Sequence, residues 1–199
     1  MAKARTYHHG DLRAALIRAA AEAVEAGGPD AVSLRDLAQS LGVSTAAPYR
    51  HFADRRALLN EVAALGFADL NAAYARARTG ADSPATAMRE TARAYLNLAF
   101  GRPGLFRLMF ASDLVGAADA PAILLAPAGQ AWDSLFNAVA ALDPASDAAA
   151  VKRRAITGWS TLHGFITLVQ GGRLKSFMTE PLTEADLLEA ILDKTLNEA

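Results

Sequence analysis

A chain of 199 residues is long enough to bury a substantial core, in one large domain or two small ones. It contains no cysteine, which excludes a disulfide framework, a thiolate metal site and a cysteine nucleophile. The formal net charge of −1 argues against a protein that coats nucleic acid over its whole surface. The charge is unevenly distributed, however: residues 1–60 contain eight basic and six acidic residues, and the rest of the chain contains twelve basic and fifteen acidic residues. This uneven charge suits a local DNA contact near the N-terminus.

The composition predicts an all-α fold, because alanine, leucine and arginine are frequent and β-branched runs are few. Residues 1–9 form a short basic arm, which is either a frayed terminus or an arm whose Lys3 and Arg5 touch DNA. His8 and His9 lack further clustered ligands, so we expect no metal site. The N-terminus lacks the apolar core of a signal peptide, and residues 155–172, although uncharged, contain four glycines. We therefore expect no membrane span and a cytoplasmic protein.

The first predicted helix covers about residues 10–26 and supports the two helices that follow. Residues 33–59 then carry the most informative pattern of the chain. Ser33 can cap a short helix, and Asp36 can complete a capping box. Gly42 falls just past the last apolar residue, where a left-handed backbone ends a helix. This is a helix-turn-helix pattern, in which the second helix enters the major groove of DNA.

The predicted recognition helix covers about residues 45–51. The Thr45 hydroxyl can bond to a base edge, and the methyl group of Ala46 can meet that of a thymine. Tyr49 and His51 can donate hydrogen bonds to phosphate. An ordinary solvated face is the alternative for Tyr49 and Arg50.

A longer helix is predicted over residues 55–78, with Asp54 as its cap. Arg55 and Arg56 stand in its first turn, where the helix dipole disfavours cations. Two cations at this unfavourable position indicate a phosphate partner, which an arginine and the exposed N–H groups of the helix start would bind together. The helix is long enough to belong to both halves of the molecule.

Several motifs in this region resemble the DNA-binding domain of TetR-family transcriptional repressors. They are Tyr7-His-His-Gly-Asp-Leu12, the S-L-R-D-L-A motif, G-V-S-T-A-A-P-Y-R-H-F and the D-R-R-A-L-L that follows. The resemblance covers about residues 7–60 without a gap. Further on, residues 102–110 and Trp159-Ser-Thr-Leu-His-Gly164 resemble the subgroup whose C-terminal domain is named for a Trp-His-Gly motif.

The resemblance implies a DNA-binding site drawn from three consecutive helices. Arg35 matches a family position that can reach a base, and Tyr49 and His51 match phosphate contacts. Arg55 matches a position usually held by lysine, which anchors phosphate; the charge is kept but the geometry differs. The candidate DNA contacts are Arg35, Ser44, Thr45, Ala46, Ala47, Tyr49, Arg50, His51 and Arg55.

Beyond residue 82 the pattern is helical, with helices predicted over residues 86–100, 105–110, 129–142, 146–170 and 183–197. Ser146 and Thr183 are the expected caps of the last two helices, and residues 116–127 are expected to form an Ala- and Pro-rich loop. The predicted division is a helix-turn-helix domain at residues 1–60 and a helical effector-binding and dimerisation domain at residues 61–199.

Trp159 and His163 are four residues apart and therefore share one face of a predicted helix. One interpretation is a ligand-pocket wall with His163 as its polar anchor. The alternative is a core histidine that is bonded to a neighbouring carbonyl. The candidate pocket residues are Phe106, Met109, Phe110, Trp132, Phe136, Trp159 and His163.

The sequence shows no Gly-rich phosphate loop, no nucleophile elbow and no His-Glu metal motif, so we expect neither an enzyme nor a cofactor. By resemblance, two apolar C-terminal helices pair with those of a second copy in a four-helix bundle. The predicted function is a repressor that binds a palindromic double-stranded DNA operator as a homodimer and is released by a small-molecule effector. The alternative is an all-helical small-molecule-binding protein or enzyme with a protein-docking head.

Overall fold

The computed structural model describes residues 12–197, apart from the side chains of Glu184 and residues 195–197. Every regular element within that range is helical, which confirms the predicted all-α fold. The helices are α1 (Leu12–Gly27), α2 (Leu34–Ser40), α3 (Arg55–Thr79), α4 (Pro84–Gly101), α5 (Pro103–Phe110), α6 (Ala122–Ala140), α7 (Ala148–Gln170), α8 (Ser176–Thr179) and α9 (Glu184–Asn197), with 3₁₀ turns at Pro29–Ala31 and Pro48–Arg50. Across residues 12–197, no helix combines the length and apolar character that a membrane crossing requires.

The chain divides into two compact units. The first unit consists of Met1–Phe67 and Gly104–Ala128, and the second of Ala68–Pro103 and Gly129–Ala199. Helices α3 and α6 contribute residues to both units. All the candidate DNA contacts belong to the first unit.

The core of the first unit draws on α1, α3 and α5. The fully buried side chains of these three helices include Leu16, Val24, Leu58, Val62, Leu105, Leu108 and Met109. Phe67 on α3 meets Phe110 on α5 edge to face, with 5.3 Å between the ring centroids. Burial of this many aliphatic side chains is the main force that holds α5 in the first unit.

Helix α5 also approaches the backbone of α1 closely at Gly104. The backbone amides of Gly104 and Leu105 donate hydrogen bonds to the two carboxylate oxygens of Glu25, at 3.0 and 3.2 Å. These bonds satisfy N–H groups that the start of a helix otherwise leaves unpaired. A Cβ atom on Gly104 would lie 2.4 Å from the carbonyl oxygen of Val24, so the contact requires glycine.

The second unit is built around α4, α6, α7 and α9. Its apolar cluster consists of Met88, Ala138, Val139, Val151 and Ala155, with Trp132, Leu135 and Phe136 packed against it. Ion pairs join α4 to α9. Arg89 pairs with Glu189 at 2.9 Å and also with Asp193, and Arg93 pairs with Glu189 at 3.1 Å.

Most predicted helix starts are confirmed by their capping bonds. The Ser33 hydroxyl accepts from the Asp36 amide at 3.3 Å, and the Asp54 carboxylate accepts from the Ala57 amide at 2.7 Å. The predicted cap of α7 is wrong, because Asp147 takes that place and accepts from the Ala150 amide at 2.7 Å. The Ser146 hydroxyl is instead committed to Asp143, at 2.7 Å.

The loop predicted over residues 116–127 is also wrong in its second half, where α6 begins at Ala122 and includes Pro127. The carbonyl of Pro121 accepts from the amides of Leu124 and Leu125, at 2.9 and 3.1 Å, and so starts the helix. Leu124 is fully buried. Its burial offsets the cost of proline within the helix, a tertiary effect that propensity alone does not show.

Candidate nucleic-acid interface

The turn after α2 has the backbone geometry that the sequence predicts. Gly42 has a φ of 68°, which is the left-handed conformation that glycine adopts without strain. The Val43 amide donates to the Ala38 carbonyl at 2.9 Å, and the Gly42 amide to the Gln39 carbonyl at 3.1 Å. These bonds satisfy the last carbonyls of α2 and set the direction in which the chain leaves it.

The segment after this turn is wound more tightly than the predicted recognition helix. Pro48 has no N–H, so it cannot bond to the Ser44 carbonyl four residues back. That carbonyl instead accepts from the Ala47 amide at 2.9 Å. The amides of Arg50 and His51 likewise reach three residues back, at 3.2 and 2.9 Å. The expected α-helix is therefore corrected to consecutive tight turns with a 3₁₀ turn at Pro48–Arg50.

Most candidate DNA contacts lie on the surface of this segment. Tyr49 is 58% exposed, so its hydroxyl is open to a partner from outside. The other exposed candidates are Arg35, Ser44, Thr45, Ala46 and Arg50, while Ala47, His51 and Arg55 are partly buried. Within the described part of the chain, Arg35 and Arg50 form no ion pair.

The two arginines in the first turn of α3 are already engaged within the protein. The Arg55 guanidinium donates to the Pro29 carbonyl and to the Asp30 carboxylate, the latter at 3.0 Å. Arg56 pairs with Asp119 at 2.9 Å. All three partners lie far from the arginines in sequence, so the local pattern could not predict them. Arg55 therefore joins the start of α3 to the connection between α1 and α2.

The structure distributes the seven candidate pocket residues between the two units. Phe106, Met109 and Phe110 lie on α5 in the first unit, and Phe106 and Met109 are buried there. Trp132 and Phe136 lie on α6 and pack against the apolar cluster of the second unit. Trp159 and His163 lie on α7, in the same unit.

Trp159, Tyr95 and His163 form a connected group of polar atoms. The indole N–H of Trp159 donates to the Tyr95 hydroxyl at 2.9 Å, and this hydroxyl lies 2.8 Å from Nδ1 of His163. Because an indole N–H only donates, the tyrosine proton is available for Nδ1, which leaves the histidine proton on Nε2. Partial burial lowers the pKa of His163 and so favours this neutral form. The hydroxyl of Tyr95, a residue that the sequence did not single out, is thus a partner of His163.

The described part of the second unit contains a small cavity and a larger groove. The small cavity, of about 20 Å³, is lined by Tyr74, Tyr95, Leu135, Arg154 and Trp159, among others. Its volume holds about one water molecule. A larger open groove of about 790 Å³ runs between the second half of α3 and α4. No group of three or more metal-ligating side chains occurs within residues 12–197; His8 and His9, like Lys3 and Arg5, lie outside that range.

Comparison with known proteins gives two family matches. Residues 16–62 match "Bacterial regulatory proteins, tetR family", and residues 88–195 match "Tetracyclin repressor-like, C-terminal domain". None of the curated protein sequences compared with the chain matches it.

Several solved structures are similar over nearly the whole chain. A protein of unknown function from Rhodococcus sp. RHA1 is 32% identical, with a TM-score of 0.82 over 98% of each chain. The TetR-family regulator PfmR from Thermus thermophilus is 22% identical, with a TM-score of 0.66 over 92% of this chain and 97% of its own. The regulator FadR from Bacillus subtilis, in complex with stearoyl-CoA, is 11% identical, with a TM-score of 0.72 over 94% of this chain and 98% of its own.

Both family matches agree with the geometry described above. The first covers the capped α2, the glycine turn and the exposed segment, and the second covers most of the helices that follow. The chain belongs to the TetR family of bacterial transcriptional regulators and carries its DNA-binding helix-turn-helix.

Proposed function

We propose that this regulator is a cytoplasmic repressor, not an enzyme, which binds a palindromic operator as a homodimer and releases it when a small molecule binds. The observation that carries the proposal is the exposed segment around Tyr49, held by a capped helix on one side and a capped helix on the other. An exposed tyrosine on this segment offers a hydroxyl donor to the phosphate oxygens of a bound duplex.

The chemistry of this segment suits the major groove. Thr45 offers a hydroxyl and Ala46 a methyl group close to the backbone, so that the chain can approach base edges. Arg35 and Arg50 supply positive charge that no acidic residue in the described part neutralises. Tyr49 and His51 supply hydrogen-bond donors for phosphate oxygens. A surface that reads a DNA duplex needs small residues, so that its backbone can approach the bases, and flanking hydrogen-bond donors and cations, which bind the phosphates.

Ser44 and Ala47 complete the proposed set, at the start of the segment and beside Pro48. Arg55 is proposed as a phosphate anchor as well, but it would have to share its guanidinium with Asp30. Its bond to the Pro29 carbonyl also gives it a positioning role at the start of α3. We therefore assign it a smaller share of the phosphate contacts than Arg50.

The DNA-binding proposal is tested with Tyr49→Ala. Loss of a hydrogen bond to a phosphate in each half-site should weaken operator binding by at least about tenfold. The thermal midpoint should not change, because the side chain is 58% exposed. The measurement is fluorescence anisotropy with duplex DNA from upstream of the protein's own gene, at low salt and without added ligand.

Tyr49→Phe is the matched control, since it removes only the hydroxyl. If Tyr49 donates to phosphate, Tyr49→Phe and Tyr49→Ala should lose similar affinity. If the ring packs on the DNA instead, Tyr49→Phe should bind like the unchanged protein. Unchanged affinity in Tyr49→Ala would contradict our placement of the segment, and no binding by the unchanged protein would contradict DNA binding altogether.

The proposed dimer surface is the exposed face of α7. This face carries small residues at helical spacing, with larger apolar residues beside them. They are Thr157, Ser160, Gly164 and Thr167, beside Ile156 and Leu168, which are 50% and 41% exposed. Small residues permit close approach of a second helix, and the apolar neighbours gain from burial. Helix α9, by contrast, packs much of its apolar side on its own unit, where Leu192 is fully buried.

We expect light scattering coupled to size exclusion to give twice the protomer mass of 20.9 kDa at micromolar concentration. Gly164→Trp should shift the protein to monomer. Within the protomer a Cβ at Gly164 meets nothing within 4 Å, so the indole has room until a second copy packs there. Gly129→Trp, at a similarly open helical glycine on α6, should remain dimeric. A monomer in the unchanged protein would overturn the homodimer.

We assign effector binding to the helical part that follows residue 60, as in the predicted division at residues 1–60 and 61–199. The similar fold of FadR holds a small ligand, which supports a ligand-binding role for this fold. An effector can release DNA only if it binds the released form more tightly than the DNA-bound form. Helix α3 is the proposed coupling element, because it begins directly after the helix-turn-helix and continues into the second unit.

The assignment to the Trp-His-Gly subgroup is part of this proposal and rests on Trp159, His163 and Gly164 of α7. The bonded group of Trp159, Tyr95 and His163 gives that motif a structural role in joining α7 to α4. Of the remaining candidate pocket residues, Trp132 and Phe136 belong to the second unit, and we propose that they pack behind the effector site and do not line it.

A further inference from the structure

The open groove between α3 and α4 has the dimensions of a ligand site. Its volume of about 790 Å³ lies within the range of small-molecule pockets. The small cavity beside Trp159, at about 20 Å³, has room for about one water. All the residues that line the groove belong to the second unit. They lie on α3 from Asp69 onward and on α4, with Gly80 and Arg102 just outside these helices.

The apolar part of the groove lining, called its floor below, is aliphatic and comes from both helices. Leu70, Ala73 and Ala77 line it from α3, and Ala94 and Leu98 line it from α4. No aromatic ring is among the lining residues, so the groove offers no stacking partner for a flat ring system. This surface favours an alkyl chain, which gains by leaving water and needs no particular ring geometry.

The charges around the groove leave one cation unpaired. Arg102 pairs with Asp69 at 3.1 Å, and Arg93 pairs with Glu90 at 3.0 Å. Arg76 also lines the groove, and its guanidinium forms no ion pair or hydrogen bond within the described part of the chain. Its neighbours one helical turn away, Ala72, Ala73 and Gly80, carry no acid. The groove therefore combines an apolar floor with one excess positive charge.

We propose that this groove binds an amphiphilic anion, with its alkyl chain on the aliphatic floor and its carboxylate on Arg76. Arg76 is a good partner for a carboxylate, because a guanidinium donates two parallel hydrogen bonds to it. The further step, that this anion is the effector, rests on the proposed function. It follows from position, since the groove lies along α3, the helix that begins next to the DNA-binding segment.

The test uses decanoate as the probe, with the full-length protein and isothermal titration calorimetry. Decanoate should bind more tightly than decanol or decyltrimethylammonium, which share its chain length but not its charge. Arg76→Gln should weaken decanoate binding by about three- to tenfold, and Arg76→Glu should reverse the preference in favour of decyltrimethylammonium.

Arg78→Gln is the matched control. Arg78 lies two residues further along α3, approaches Ser134 and does not line the groove. It should bind decanoate like the unchanged protein. Equal binding by the unchanged protein and Arg76→Glu, or equal affinity for all three probes, would overturn the proposal. Calorimetry contains no DNA, so a failure of operator binding leaves this result unaffected, and a failure here leaves operator binding unaffected.

Discussion

Replacing Gly104 with alanine is expected to destabilise the protein by about 3 kcal/mol or more, which lowers the thermal midpoint by about 6–12 °C in a chain of this length. The added Cβ would lie 2.4 Å from the Val24 carbonyl oxygen and 2.6 Å from the Glu25 Cα. Both atoms belong to the backbone of α1, so no side-chain rotation relieves the overlap. Helix α5 must move, and the bonds from Gly104 and Leu105 to the Glu25 carboxylate lengthen with it.

Gly101→Ala is the matched control for this substitution. Gly101 ends α4 only three residues earlier, and a Cβ there meets nothing within 4 Å. Alanine at such a site should leave stability unchanged or raise it by up to about 1 kcal/mol, since it restricts the unfolded chain. Differential scanning calorimetry compares the two variants. Equal midpoints for Gly104→Ala and Gly101→Ala would mean that the close approach of α5 to α1 contributes nothing.

Operator affinity is expected to fall by about 10³-fold between about 50 and 200 mM salt, since a dimer making several phosphate contacts releases that many bound cations. Arg50→Gln should reduce the slope of log affinity against log salt by about 2, one contact from each protomer. Arg55→Gln should reduce it less, because that guanidinium is bonded to Pro29 and Asp30. Arg55→Gln should instead lower the thermal midpoint.

The salt dependence is measured by fluorescence anisotropy over a potassium chloride series, with each variant at the same temperature. Arg78→Gln serves again as the control, because Arg78 is remote in sequence from the segment around Tyr49 and should leave the slope unchanged. If Arg55→Gln reduces the salt slope more than Arg50→Gln does, Arg55 is the principal phosphate contact and our assignment is wrong. Identical salt slopes in all variants would mean that neither Arg50 nor Arg55 contacts phosphate.

The features that sequence predicted well are those set by neighbouring residues. Ser33, Gly42 and Asp54 act over three to five positions, and each does in the structure what its residue type implies. The all-helical fold follows in the same way from composition and periodicity. The exposure of Tyr49 was also predictable, because its position in the pattern places it away from the apolar side.

The features that sequence missed depend on residues far apart in the chain. Glu25 gave no local sign that it would hold the start of α5, some eighty residues away. Nothing in the residues around Arg55 indicated that it would bond to the Pro29 carbonyl. The seven candidate pocket residues share an apolar or aromatic character, and this character does not specify the unit to which each of them belongs. Pro127 disfavours a helix locally, but the burial of Leu124 outweighs that effect. Tertiary packing decides each of these cases.

The bond between Glu25 and Gly104 has a consequence for how the protein is made. The first unit takes its residues from two stretches of chain, separated by the 36 residues of Ala68–Pro103. On the ribosome, α1 and the helix-turn-helix emerge long before α5, and the part of their apolar surface that α5 covers stays exposed until α5 follows. Closing so long a loop costs entropy before its contacts repay it, and exposed apolar surface invites aggregation meanwhile. The ribosome must therefore synthesise the chain well beyond the segment around Tyr49, as far as α5, before the first unit can complete its fold.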